Sequence, residues 1–137
     1  MEYLRRDLHR LLPALALLSA QAEDKKLPSQ ALRFEDLPVR SNGHTRSVFD
    51  GETHSGFRLE LHETELPAGE APHPPHHHIH EEVLMLREGT LEVMISGKKT
   101  TVGPGAVVYV ASNEEHGWKN VGTTAVQYFV IALGKDS

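Results

Sequence analysis

An all-β domain, either a sandwich or a closed barrel, is what this sequence predicts, and three observations carry the prediction. Beyond residue 42 the chain is a succession of short runs rich in β-branched and aromatic residues. Gly, Pro and Asn separate those runs, and no segment past residue 22 has a helical period. The length of 137 residues allows one domain with a modest core and excludes a multidomain enzyme. Apolar residues at 39% and charged residues at 24% lie near the globular average, which sets aside disorder, a collagen-like chain and a membrane bundle.

Taken in order, residues 1–22 come first and differ from the rest. Arg5, Arg6 and Arg10 make a basic start, Leu11 to Ala20 are apolar apart from Pro13 and Ser19, and Ala20-Gln21-Ala22 is a small-residue cleavage pattern. That is the layout of a secretory signal peptide, and Arg5-Arg6 resembles a twin-arginine export signal, with Leu4 where Ser or Thr is usual. The apolar stretch falls short of the roughly 20 residues a bilayer span requires. The expectation is a periplasmic or secreted domain over residues 23–137. The alternative is an N-terminal helix, packed on the domain or on a neighbouring subunit of a cytoplasmic protein. Sequencing the N-terminus of protein recovered from the native envelope checks this: a start near Glu23 is expected, and a start at Met1 would contradict export.

From Glu23 to Asn42 the chain is polar, with Pro28 and Pro38 as breakers and one extended candidate, Ala31 to Leu37. The strand candidates follow: Thr45 to Phe49, Gly56 to Leu66, Glu82 to Arg87, Thr90 to Ser96, Lys98 to Val102, Ala106 to Ala111, Gly117 to Val121 and Ala125 to Leu133. Ser96-Gly97 predicts a tight hairpin, and Glu88-Gly89 and Val121-Gly122-Thr123 predict further turns. In the second run Phe57, Leu59 and Leu61 share one face, and Arg58, Glu60, His62 and Thr64 the other. The polar face is expected toward solvent; turned inward, it would make His62 or Glu60 an acid–base or supporting candidate.

Composition also narrows function. A net charge of −5 disfavours a nucleic-acid partner, which demands a surplus of Lys and Arg. With no Cys there is no disulfide, no thiolate nucleophile and no thiolate-held metal. Histidine is abundant: there are ten, five of them between residues 73 and 80.

In an extended chain His76 and His78 project to one side while His77 points to the other, so the pair forms a natural claw for a metal. Glu82 follows after a short reversal at Ile79 to Glu81 and is the nearby carboxylate. Imidazoles with one carboxylate suit Mn, Fe, Co, Ni, Cu or Zn and argue against Ca or Mg. His73, His77 and His80 are expected to be solvated loop residues.

Two stretches together resemble the cupin superfamily. His76-x-His78, three residues, Glu82, six residues and Gly89 match its first motif, with Gly69 one residue further upstream than usual. Gly105, His116 and Asn120 stand at the positions of the second motif, in which Ala111 replaces a Pro and Asn113 a Gly. Both departures fall in a turn, where Asn is the non-Gly residue that best tolerates a left-handed backbone.

The resemblance implies an antiparallel jelly-roll barrel with one divalent metal, Mn or Fe foremost, held by His76, His78, Glu82 and His116. It leaves two adjacent coordination positions for water, dioxygen or a chelating substrate. Strand parity would then turn Leu84 and Leu86 into the cavity beside Glu82, and Trp118 and Asn120 beside His116. Trp118 could equally serve the core or a subunit contact.

The function implied is an enzyme, a dioxygenase or an isomerase or lyase, acting on a small chelating molecule, with Glu82 also able to accept a proton. The alternative is a non-enzymatic, metal-dependent small-molecule or sugar-binding protein. By the same resemblance a homodimer is expected, with Ala31 to Leu37 as the crossing strand.

Overall fold

Each of the eight strand candidates after residue 42 becomes a strand. In the computed structural model, which describes residues 26–134, these are β1 (Thr45–Glu52), β2 (Arg58–Leu66), β3 (Glu81–Glu88), β4 (Leu91–Ile95), β5 (Lys98–Val102), β6 (Val107–Val110), β7 (His116–Asn120) and β8 (Val126–Gly134). Residues 1–22, with the signal or helix expected there, lie outside the described residues. All strand pairs are antiparallel. A five-stranded sheet runs in the order β1-β2-β8-β3-β6, and a three-stranded sheet in the order β5-β4-β7. Only β1-β2 and β4-β5 are hairpin neighbours; β8 wedges between β2 and β3, and β7 returns to β4. This is the expected jelly roll.

Alternation along the strands sets what each sheet buries. Leu84 and Leu86 of β3, Leu91 and Val93 of β4, and Val126, Tyr128 and Val130 of β8 are each at most 3% exposed and form the core with Trp118 of β7. Two turns need particular residues. Ser96 and Gly97 have φ of 47° and 79°, the paired left-handed conformation whose twist matches a hairpin. Gly89, at φ 89° after β3, lies against β8. A Cβ built there would meet Val126 Cγ2 at clashing range, with Val126 Cα at 3.0 Å and Ala125 O at 3.1 Å. Replacing Gly89 with Ala should therefore destabilise the fold by about 2–5 kcal/mol, from left-handed strain of ~1–2 and overpacking of ~1–3. Urea unfolding checks it.

Ala31 to Leu37 is not a strand. Phe34–Asp36 form a 3₁₀ turn, and Arg33 Nε donates to Asp36 Oδ2 at 2.7 Å. Three residues per turn bring i and i+3 onto one side, where an extended chain would hold them apart. The guanidinium groups of Arg46 and Arg87 lie 4.9 and 4.8 Å from the Phe34 ring centroid. Leu37 is buried at 8% exposure.

The polar face of β2 is likewise not turned to solvent. His62, Thr64 and Leu66 share the inner face, and Thr64 and Leu66 are buried. The alternation was right but its direction was reversed, because the barrel interior near β2 is a polar cavity and not a closed core. Glu63, on the opposite face, is 1% exposed, and its Oε1 has no hydrogen-bond partner among the described residues. Burial raises its pKa above the ordinary carboxylate value, and the charges of Arg46 and Arg87 offset this only in part.

Candidate metal centre

Backbone pairing assembles the centre from two distant stretches. His76 and His116 form an antiparallel bridge, His76 N donating to His116 O at 3.0 Å and His116 N to His76 O at 2.9 Å. Asn113 N donates to His78 O at 2.7 Å, and Asn113 adopts φ 61°, the left-handed conformation expected of the residue that stands in for Gly. Gly117 lets the Pro-rich stretch approach closely, since a Cβ there would lie 3.2 Å from Pro75 Cα. Parity does the rest: His76 and His78 turn inward and His77 is exposed.

The side chains converge as a result. Ring centroids of His76, His78 and His116 lie 4.7–5.1 Å apart, and their candidate ligand nitrogens fall within 4.8 Å of one another. Glu82, at the start of β3, places Oε1 3.4 Å from His78 Nε2 and Oε2 3.3 Å from His116 Nε2. The four residues expected to hold a metal are thus brought together.

Their hydrogen bonds test whether a cation fits. Nδ1 of His78 lies 2.9 Å from His80 O, and Nδ1 of His116 lies 2.8 Å from Glu114 O. A carbonyl oxygen only accepts, so each Nδ1 carries the proton and each Nε2 presents a lone pair inward. Nδ1 of His76 faces Pro74 O at 3.4 Å in the same sense. Among the described residues, His78 Nε2, His116 Nε2 and Glu82 Oε2 are buried with no hydrogen-bond partner. Lone pairs facing a carboxylate inside a protein repel, and each unsatisfied group costs about 1–3 kcal/mol. A divalent cation would satisfy all of them, and the donor set of nitrogen and carboxylate oxygen is that of a transition metal. Burial pushes the His76 pKa below the usual imidazole value, with His73 adding to the effect. Its neutral, ligating form is favoured accordingly.

Two histidines assigned to solvated loop belong to the surroundings of the site. His80 stacks on His78 with centroids 3.6 Å apart and planes at 10°, and its Nε2 lies 3.4 Å from Glu82 Oε1. With His78 and Glu82 it forms a second group able to hold a metal. His73 packs edge-on against His76 at 4.1 Å. The signal for His80 was present, as residues 78, 80 and 82 share one parity, but the bend at Ile79-His80 hid it.

A cavity of about 310 Å³ runs from an exposed rim with Arg40, His44 and Glu70 to an inner end at Glu82, Trp118 and Tyr128. Glu82 is the one proposed ligand in its wall. Trp118 is part of both the cavity wall and the core, with Nε1 donating to Tyr128 Oη at 3.0 Å. Burial pushes the Tyr128 phenol up to about 12, so it stays neutral.

Three cavity assignments are corrected. Leu84 and Leu86 do face inward from β3, but they are closed within the apolar core below the cavity and line none of it. Asn120 also faces inward, but its amide holds backbone: Nδ2 donates to Leu66 O and Thr124 O at 2.9 and 2.8 Å, and Oδ1 accepts from Gly122 N at 2.9 Å. His62, a cavity candidate only if its strand face turned inward, does line the cavity.

Comparison with known proteins bears on the fold. The family model described as Cupin domain matches residues 62–132. An RmlC-like cupin from Shewanella frigidimarina superposes with a TM-score of 0.65 at 17% identity, covering 80% of this chain and 95% of its own. A predicted oxalate decarboxylase from Thermotoga maritima gives 0.57 at 16% identity, covering 77% and 99%. KdgF from a Halomonas species gives 0.50 at 17% identity, covering 65% and 89%. A search of curated proteins found no match. Among the described residues, no helix is long and apolar enough to cross a membrane.

Proposed function

We propose that this chain, which belongs to the cupin domain family, holds one divalent transition metal through His76, His78, Glu82 and His116 and acts as an enzyme on a small chelating organic molecule. The observation that carries the proposal is the convergence of buried acceptors that have no hydrogen-bond partner among the described residues: His78 Nε2, His116 Nε2 and Glu82 Oε2. Manganese or iron is the metal proposed. A bound divalent metal supplies a Lewis acid that polarises a carboxylate, carbonyl or hydroxyl of the substrate.

The chain's own groups do the rest. Backbone carbonyls at His80 and Glu114 fix the imidazole tautomers. Trp118 and the neutral Tyr128 close the inner end of the cavity. Screening anaerobically purified, metal-loaded protein against chelating carboxylates, diols and ketones, with dioxygen uptake followed in parallel, tests the proposal. Product formation is expected. Saturable binding without product would identify a metal-dependent binding protein instead.

His80 supports the centre without being one of the four ligands. Replacing His80 with Ala should weaken metal binding about 10- to 100-fold, the range for residues that orient ligands. Replacing the exposed His77 should change it little. Competitive chelation with a metallochromic dye measures both.

A further inference from the structure

We infer that His62 is the proton-transfer residue of the cavity, positioned by Glu60 and Arg40, and that it acts on a small 2-oxo acid bearing an acidic C–H bond. The inference deepens the proposed function and rests on it for the chelating end of the substrate. His62 Nδ1 lies 2.8 and 3.1 Å from the two carboxylate oxygens of Glu60. Arg40 Nη2 donates to Glu60 Oε1 at 2.6 Å, and Arg40 Nε donates to Ser47 Oγ at 2.8 Å. A carboxylate accepts, so Nδ1 carries a proton and Nε2 is the nitrogen left to take one up. This is the arrangement of a base oriented by a third group.

Burial works against ionisation of Glu60, but its bonds to His62 and Arg40 outweigh burial and hold its pKa below the ordinary value. It therefore remains an anion able to stabilise the imidazolium formed on proton uptake. Other groups in the wall are less suited. Tyr128 stays a neutral phenol, Glu82 is a proposed ligand, and His44, Glu65 and Glu70 are exposed. Of the cavity's imidazoles, His62 has the carboxylate partner.

The substrate class follows from the two ends of the cavity. A 2-oxo acid offers adjacent carboxylate and carbonyl oxygens for chelation, and its acidic C–H bond adjoins the carbonyl. In the step, that C–H bond breaks and its proton goes to His62 Nε2. The bonding pair forms the carbon–carbon double bond as the carbonyl π pair moves onto oxygen, giving the enolate. Return of a solvent-exchanged proton regenerates the 2-oxo acid.

The test uses zinc-loaded full chain with pyruvate in D₂O, following loss of the methyl proton signal by NMR, together with long-range ¹H–¹⁵N spectra of the histidine rings. Wild type should exchange pyruvate protons, and His62→Gln should lose about 100-fold or more of that rate while keeping its zinc. Glu60→Gln should exchange more slowly and lose the preference for protonated Nδ1 at His62. Zinc-loaded wild type that leaves pyruvate unexchanged, or His62→Gln exchanging as fast as wild type, would overturn the inference and leave the metal proposal standing. Failure to hold zinc, manganese or iron would instead overturn the metal proposal. The ring spectra of that metal-free protein would still decide the His62 geometry, Nδ1 protonation dependent on Glu60 supporting it and any other tautomer sinking it.

Discussion

Replacing His116 with Ala is expected to abolish stoichiometric metal binding, with affinity falling by more than about 100-fold, the upper end of the loss seen when only a ligand's supporting residue is removed. His116 is fully buried, and its Nδ1 is tied to Glu114 O, so its Nε2 is held toward His76, His78 and Glu82. The fold should survive in His116→Gln, which keeps most of the side-chain volume and can still accept a hydrogen bond. Equilibrium dialysis against a buffered metal, with circular dichroism on the same samples, separates loss of the ligand from loss of the fold. A His116→Gln variant that is folded and binds as tightly as wild type would remove His116 from the centre.

The second large effect is on pH. Metal and protons compete for the three imidazoles, so occupancy should be complete at neutral pH and be lost as pH falls. The sign for His76 follows from its depressed pKa: burial and the nearby His73 favour the neutral ring in the folded state. The neutral form persists to lower pH than in a free imidazole, which titrates near pH 6.5. Metal release should therefore have its midpoint below about 6.5 and be cooperative, because protonating one ring removes a ligand shared with the others. The same sign makes the metal-free fold less stable as pH falls through this range, since protonation is easier in the unfolded chain. Thermal unfolding with and without metal, from pH 8 down to about 5, should show the metal-dependent gain shrinking as pH drops. A gain independent of pH would point to ligands other than imidazoles.

How much of this was legible in the sequence differs from residue to residue. The strands were readable because β-branched runs alternate and Gly, Pro and Asn punctuate them; only their ends moved, by up to three residues. His76, His78, Glu82 and His116 could be picked out since parity sorts the tract and motif spacing supplies the distant partner. His80 escaped because strand parity was not carried through the bend that delivers it to Glu82. The inward turn of β2 escaped for another reason. A strand with one polar and one apolar face ordinarily shows the polar one to water, and here polar side chains line the barrel mouth instead. The group that compensates Glu60 is Arg40, 20 residues away in a loop, a partner no local pattern announces. Leu84, Leu86 and Asn120 were placed on the correct face, but parity gives direction and not depth. Whether an inward side chain reaches a cavity or fills the core below it depends on the opposite sheet.

The most direct test of the central claim is the metal content of untagged, anaerobically purified protein by elemental analysis. One divalent transition metal ion per chain, manganese or iron, is the predicted result. A content well below one per chain, unchanged after incubation with those metals, would contradict it.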